Sequence, residues 1–388
     1  MGSKELLFSY SSLEKARACP ARFQLSYGAY PTIWQREGFP PRVTHASVRG
    51  LVIHSCLERL TKAAAAADSP VTGDARTNAL RDLGGYSQLI DDAIREVLDG
   101  LEGNPRARAT IPTWRRRLIE DHETIRHRVQ STLRQVVIQG GRVPVSGTSS
   151  SGAMRIENSV FAEFHLSSRD MPLHGWADLL ACGEPVDRVI DFKTGQASES
   201  HEDQLRLYAA LWLKDERNAL RRPVAMTAIY GEVEQHFGEL MESEATGVLD
   251  KWQSRIQEAQ EILGEATVQA TPERELCALC PVKVACDSYW DRLVPIQSAR
   301  TLEFVDVEAT IVEKLGTRTS QVALLRAPDG LVVHIVHSES GKQDFAVGDR
   351  IRILGASVRT GDEEVEPSLR VGRNAEVFII RNGQLFQA

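Results

Sequence analysis

The sequence lacks the apolar run of about 20 residues that a membrane-spanning helix requires. Its first residues do not have the pattern of a secretory signal peptide, so we expect a cytoplasmic protein. It also lacks a G-x4-G-K-[ST] loop, and any unwinding of a duplex would therefore need a partner protein. The formal net charge of −7 excludes a polycation that coats nucleic acid, although a local basic groove stays compatible with it.

Cysteine is scarce, with six residues and no evenly spaced framework, which fits a reducing compartment better than a disulfide scaffold. Cys277, Cys280 and Cys286 form a C-x2-C-x5-C cluster, and Cys19 stands far upstream beside a proline. Four thiolates can bind a metal or a cluster, and half of a zinc site is one possible interpretation. The remaining two cysteines lie in apolar helical and strand contexts, where buried thiols are expected, at Cys56 and Cys182.

Helical periodicity dominates the first part of the chain. Ser11 and Glu14 fit a capping box that opens a first helix. Further helices are predicted over residues 48–62, 85–101 and 113–138. Because strand signals are weak in this part, residues 48–138 are predicted to form a mostly helical insertion.

After a Gly- and Ser-rich stretch at residues 140–152, the pattern changes to that of strands. Strands are predicted over residues 156–166, 171–182, 187–192 and 223–231. Two helices follow the third and fourth strands, over residues 202–216 and 243–265. This order predicts an α/β domain in which helices flank a mixed sheet.

The C-terminal segment, residues 300–388, has the pattern of a small all-β barrel. Five short apolar runs are separated by Gly, Asp and Ser, over residues 303–314, 321–326, 331–337, 349–358 and 375–380. An OB-fold is the preferred interpretation, and an SH3-like barrel would give nearly the same pattern. The segment has few aromatic and many acidic residues, so DNA binding and protein docking are both open interpretations.

Two carboxylates and a lysine lie at the ends of neighbouring predicted strands, at Asp178, Asp191 and Lys193. Residues 191 and 193 share one face of a strand because side chains alternate between faces. Carboxylate oxygens hold Mg²⁺ or Mn²⁺, and a lysine can position water and stabilise charge during phosphodiester hydrolysis. On these three residues alone, a salt-bridged hairpin end explains the pattern equally well.

Polar residues elsewhere extend this set. Gln204 and Tyr208 are four residues apart on the following predicted helix, and so they share one of its faces. His54 lies on the predicted helix 48–62. A lone histidine on an amphipathic helix is more often a core residue than a ligand.

The ordered set of His54, Gly175-x-x-Asp178, Asp191-x-Lys193 and Gln204-x3-Tyr208 resembles the motifs of RecB-type PD-(D/E)XK nucleases. The resemblance covers residues 8–290 and implies a restriction-endonuclease-like sheet within a nuclease domain at residues 1–295. It implies metal binding by His54, Asp178, Asp191 and the Phe192 carbonyl, with Lys193 as the catalytic lysine. Gln204 and Tyr208 would contact DNA or organise the site, and Glu163 matches an acidic position of the family.

One early cysteine followed by a late C-x2-C-x5-C resembles the iron–sulfur subgroup of these nucleases. The resemblance implies that Cys19, Cys277, Cys280 and Cys286 ligate a [4Fe–4S] cluster, which would join the end of the nuclease domain to its first helix.

The function expected from these observations is a Mg²⁺- or Mn²⁺-dependent deoxyribonuclease, in particular an exonuclease on single-stranded DNA in repair, recombination or defence. The alternative is a DNA-binding or adaptor subunit that is active only with a helicase or another repair or defence protein.

Overall fold

The computed structural model describes residues 6–66, 73–135, 156, 159–193, 195, 197–292, 304–316, 319–324, 332–337, 345–359, 368–372 and 375–387. The chain divides into two compact units. The first unit comprises Met1–Glu14, Val43–Gly103 and Ile111–Gly264, and the second comprises Lys15–Arg42, Asn104–Thr110 and Glu265–Ala388. Within the described residues, no helix is both long and apolar enough to span a membrane. The domain boundaries 1–295 and 300–388 stay a prediction.

Seven helices of the described chain lie within the first unit: α3 (His45–Ala66), α4 (Gly73–Asp82), α5 (Gly85–Leu101), α6 (Ile111–Glu120), α7 (His122–Gln135), α8 (Glu199–Lys214) and α9 (Glu242–Gly264). Helix α1 (Tyr10–Ala18) begins in the first unit and ends in the second. The second unit contains α2 (Pro20–Tyr27), α10 (Arg274–Ala278) and α11 (Asp287–Asp291).

The first unit is built on a mixed six-stranded sheet: β1 (Phe8–Ser9), β4 (Ser159–Ser167), β5 (Leu173–Cys182), β6 (Asp187–Phe192), β7 (Val224–Tyr230) and β8 (Val233–Leu240). Strands β4 to β8 lie side by side in the sheet in the order in which they follow along the chain. Among these pairs, only β6 and β7 are parallel. Strand β1 runs parallel to the first residues of β5. The crossover between β6 and β7 is α8, as a parallel connection requires.

Helix α8 covers one face of this sheet. Its residues Leu205 and Leu207 to Leu213 are buried, because it packs against β7 on one side and α9 on the other. Phe164 of β4 contacts Trp212 with ring centroids 5.6 Å apart, so the even-numbered side of β4 faces α8. The opposite face of the sheet is the one approached by α3.

The second unit contains the barrel predicted at the C-terminus. Its strands are β9 (Phe304–Lys314), β10 (Thr319–Leu324), β11 (Val332–His337), β12 (Arg350–Arg359) and β13 (Ser368–Val371). They close in the order β9-β10-β11-β13-β12 and back to β9, with only β11 and β13 parallel. This ring is the five-stranded barrel of an OB-fold, which excludes the SH3-like alternative.

A hairpin, β14 (Glu376–Arg381) and β15 (Gln384–Gln387), extends the barrel from β12. The predicted fifth barrel strand at 375–380 is this β14 and lies outside the closed ring. Strand β13, which closes the ring, is missing from the sequence prediction. It has four residues, too few for a periodic signal.

The barrel and its extension contact other segments of their own unit through two arginines whose side chains are buried. The Arg352 guanidinium binds Glu308 at 2.7 Å, the Val284 carbonyl at 2.6 Å and Asp287 at 2.8 Å. Arg106 binds both carboxylate oxygens of Glu376, at 2.8 and 2.7 Å. A short hairpin, β2 (Ala29–Tyr30) with β3 (Arg36–Glu37), is part of the same unit.

The fold class, a mixed α/β domain with an added all-β barrel, is confirmed, and several local predictions are wrong. The capping box is formed by Ser9 and Ser12 instead of Ser11 and Glu14. The Ser9 amide donates to the Ser12 hydroxyl at 2.8 Å, and the Ser12 amide donates to the Ser9 hydroxyl at 3.3 Å. The single helix at 113–138 is instead α6 and α7, separated at Asp121, and residues 136–138 lie outside the described part. Strand β8 was not predicted because it is a mostly exposed edge strand without apolar alternation.

Candidate active site and cysteine centre

Three acidic residues meet on the face of the sheet that α3 approaches. The β4–β5 pairs Ala162–Leu179 and Phe164–Ala177 place Glu163 opposite Asp178. The β5–β6 pair Leu179–Ile190 is followed on β6 by Asp191, which is therefore level with Asp178. The Asp178 carboxylate accepts a 2.5 Å hydrogen bond from the Phe192 amide, which fixes it beside Asp191. Asp178 lies in the middle of β5, not at a strand end as the sequence suggested.

His54 approaches these carboxylates from α3. Its Nε2 is 2.9 Å from Asp178 Oδ1, and its Nδ1 is 3.6 Å from Glu163 Oε1. One helical turn later, Glu58 brings a further carboxylate, and ligand atoms of His54, Glu58 and Glu163 lie within 4.8 Å of one another. Sequence reasoning missed Glu58, although its spacing of four residues from His54 puts both on one helix face.

The backbone of Glu163 has φ = +52°, a left-handed conformation that is rare for a residue with a side chain. Such a conformation costs of the order of 1–3 kcal/mol and is typical of functional sites. Glu163 lies in the middle of the nine-residue strand β4, between residues that pair regularly with β5. We interpret it as a local distortion that directs this carboxylate towards His54.

Lys193 follows β6 directly and is held by two side chains. Its Nζ is 2.6 Å from Asp191 Oδ2 and donates a 2.8 Å hydrogen bond to Gln204 Oε1. Gln204 Nε2 in turn donates to the Tyr208 hydroxyl at 2.9 Å. Gln204 and Tyr208 therefore form one chain of side-chain contacts with Lys193 and Asp191.

Burial and the neighbouring carboxylates shift the pKa values of this group. Burial raises the pKa of Glu163 to about 7, and the negative charges of Asp178 and Glu58 act in the same direction. Burial and the charge of Asp178 also raise the pKa of Asp191. Burial opposes protonation of His54, but its hydrogen bond to Asp178 and the surrounding carboxylates raise its pKa to about 9. The site therefore carries excess negative charge that a cation would offset.

Gly175 of the G-x-x-D motif has a packing role on the other face of β5. A Cβ at this position would overlap the ring of Tyr208, with Cδ1 and Cζ only 3.0 Å away. Tyr208 is buried, and burial raises its pKa to about 12. The glycine thus lets the ring of Tyr208 lie directly against the strand that carries Asp178.

The four cysteines of the predicted cluster lie in the second unit and line one small cavity. The sulfur of Cys19 accepts backbone hydrogen bonds from Arg22 at 3.4 Å and from Thr271 at 3.5 Å. Backbone hydrogen bonds also reach Cys280, from Val282, and Cys286, from Tyr289. Cys56 and Cys182 are buried in α3 and β5, as expected of structural thiols.

A family model for the PD-(D/E)XK nuclease superfamily matches residues 7–287. The chain belongs to this superfamily. Nuclease chemistry with divalent metal ions is the activity of its members, and the carboxylates, histidine and lysine above fall within the matched segment. No curated protein sequence is significantly similar to the chain.

Solved structures resemble parts of the chain at low identity. One, described as structural mimicry for functional antagonism, is 12% identical and aligns over 22% of this chain and 44% of that chain, with a TM-score of 0.19. The present chain therefore covers less than half of the length of that structure.

Schizosaccharomyces pombe Pot1pC bound to single-stranded DNA is 6% identical over 24% of this chain and 88% of that chain, with a TM-score of 0.20. An OB domain from Methanosarcina mazei is 7% identical over 23% and 84%, with a TM-score of 0.19. Such low TM-scores support no conclusion about function.

Proposed function

We propose that the chain is a Mg²⁺- or Mn²⁺-dependent deoxyribonuclease that acts as an exonuclease on single-stranded DNA. The observation that carries the proposal is the grouping around Asp191. This buried carboxylate is level with Asp178 and lies 2.6 Å from the Lys193 ammonium, and His54 contacts Asp178 from α3. Two carboxylates, a lysine and an imidazole on one sheet face match what phosphodiester hydrolysis requires.

The donor set fits a hard divalent cation. His54, Asp178, Asp191 and the Phe192 carbonyl would hold the ion, and Glu58 and Glu163 offer further carboxylate oxygens. Burial, together with the negative charges of Asp178 and Glu58, raises the pKa of Glu163, and a bound cation would counteract this shift. When bound, the ion supplies acidification of water and neutralisation of charge at the phosphate.

Lys193 has the position of a residue that orients the attacking water and stabilises negative charge on the phosphate. Its ammonium is fixed between Asp191 and Gln204, so it needs little reorganisation during the reaction. Tyr208 is buried and bonded to Gln204, and we assign it a positioning role through Lys193 instead of contact with DNA. Gln204 is half-buried, so its side chain can still contact a DNA strand.

The cysteine centre is proposed to hold a [4Fe–4S] cluster on Cys19, Cys277, Cys280 and Cys286. Backbone amides directed at three of the four sulfurs stabilise thiolates, as in iron–sulfur sites. The four side chains line one cavity, so their sulfurs can ligate a common centre. Such a cluster would place the chain in the iron–sulfur, RecB-like subgroup.

The cellular role we propose is in DNA repair, recombination or defence, with a helicase as a possible partner because the sequence has no nucleotide-binding loop of its own. In the alternative, the site binds DNA and cleaves only when a partner subunit is present.

The decisive experiment uses anaerobically purified full-length chain with end-labelled single-stranded and duplex DNA, in Mn²⁺ or in EDTA. We expect Mn²⁺-dependent cleavage that Lys193→Ala abolishes and the surface control Lys251→Ala retains, since Lys251 is exposed and pairs with Asp203. The product ladder then gives the polarity. A folded, brown protein that binds DNA without cutting it would refute autonomous cleavage and support the partner-dependent alternative.

A further inference from the structure

Trp176 differs from the other tryptophans of the chain. Its side chain is 50% exposed, whereas the other five are buried: Trp34, Trp114, Trp212, Trp252 and Trp290. Tryptophan side chains are usually largely buried in proteins, so a half-exposed indole is unusual. Its position in the middle of β5, two residues before Asp178, connects this exposure to the candidate active site.

Trp176 and Asp178 lie on the same face of β5, because side chains alternate along a strand. That face is the one on which His54 contacts Asp178, since the intervening Ala177 pairs with Phe164 on the α8 side. Two residues along a strand correspond to about 6.7 Å, of the order of one nucleotide step in an extended single strand.

Two histidines accompany Trp176 on this face. His165 is its cross-strand partner on β4, with ring centroids 4.7 Å apart and planes tilted by 50°. His174 precedes Trp176 by two residues on β5, and its ring lies 5.8 Å from that of His165. Both imidazoles are half-buried. His165 contacts the indole and His174 contacts His165, so the indole is supported on one side while half of it faces solvent.

We propose that Trp176, supported by His165 and His174, is a stacking platform for the base of a nucleotide next to the scissile phosphate. This inference rests on the nuclease function proposed above and specifies its substrate. In a duplex, each internal base is already stacked within its strand, whereas an unpaired base can be splayed out onto an aromatic side chain. The platform therefore favours single-stranded DNA at the point of cleavage.

The first test is fluorescence of the full-length Lys193→Ala chain, titrated with single-stranded oligonucleotide in Mg²⁺. Stacking on Trp176 is expected to quench indole fluorescence, and the quenching should disappear when Trp176→Phe is added to the same background. Binding detected by anisotropy without any change in indole fluorescence would overturn the platform.

The second test is kinetic and uses variants in the otherwise unmodified chain. Trp176→Ala is expected to raise KM for single-stranded DNA about 5- to 150-fold, the range of base–aromatic stacking, while Trp176→Phe loses much less. The matched control is Leu220→Ala, which removes another exposed apolar side chain of the first unit and should leave KM unchanged.

An abasic scan locates the stacked nucleotide. One abasic position next to the cleaved bond should raise KM for the unmodified chain, and the same position should have no further effect in Trp176→Ala. Unchanged KM in Trp176→Ala, together with equal sensitivity to the abasic nucleotide, would refute the platform although cleavage persists. Absence of cleavage by the unmodified chain would instead refute the nuclease proposal, and the fluorescence titration would still decide the platform.

Discussion

Replacing Gly175 by alanine is expected to destabilise the first unit and to slow cleavage at the same time. The added Cβ would overlap the ring of Tyr208, with two ring carbons at 3.0 Å and a third nearer still. The ring has little room to withdraw, because its neighbours Leu205, Leu207 and Ala209 on α8 are fully buried. Either the helix or the strand must therefore move.

The size of both effects follows from these contacts. Overpacking of a well-packed interior costs about 1–3 kcal/mol of unfolding free energy. The Tyr208 hydroxyl accepts a hydrogen bond from Gln204, which accepts one from Lys193, so displacement of the ring moves the lysine. A misplacement of about 1 Å in a catalytic group can cost of the order of 10²-fold in rate. We expect a fall in kcat of that order.

The assay pairs urea denaturation with cleavage kinetics of the full-length chain. Gly183→Ala is the matched control, because it lies just after the same strand and a Cβ there meets nothing within 4 Å. Its stability should change by less than about 0.5 kcal/mol, as for most surface substitutions. The double variant Gly175→Ala/Tyr208→Leu should lose at least about 1 kcal/mol less unfolding free energy than the sum of the losses in the two single variants. Wild-type stability and kcat in Gly175→Ala would refute the reasoning.

Two other predictions concern the second unit. Cys286→Ser is expected to lose the visible absorbance of an iron–sulfur cluster and to destabilise this unit, whereas Cys182→Ser, in β5, should keep the absorbance. A Cys286→Ser protein with the original spectrum would exclude this cysteine as a ligand. His337 is buried, and burial lowers its pKa to about 4, whereas the unfolded chain takes up the proton near pH 6.5. Stability should therefore fall by up to about 3 kcal/mol between pH 6.5 and pH 4, measured by urea denaturation, and His337→Leu should remove this component. An equal pH dependence in both proteins would show that His337 stays protonated or exposed.

Local sequence patterns were sufficient for most elements of the fold. Strand β6 ends at Phe192 as predicted, because a continuous apolar run marks a central strand that is buried on both faces. Helices α8 and α9 were predicted within a few residues of their ends, since their apolar positions recur with helical spacing. The polar edge strand β8 and the four-residue β13 carry no such pattern, and only pairing with neighbouring strands defines them.

The sequence by itself determined which residue types are available for the chemistry: Asp191 and Lys193 on one strand face, and Gln204 and Tyr208 one helical turn apart. These relations depend only on the period of a single element. Tertiary structure decided everything that depends on register between elements. It set Glu163 level with Asp178, brought Glu58 and His54 to the carboxylates, and left Trp176 exposed beside them. It also brought Cys19 to cysteines more than 250 residues away, because long-range contacts arise from packing of the whole chain and not from local spacing.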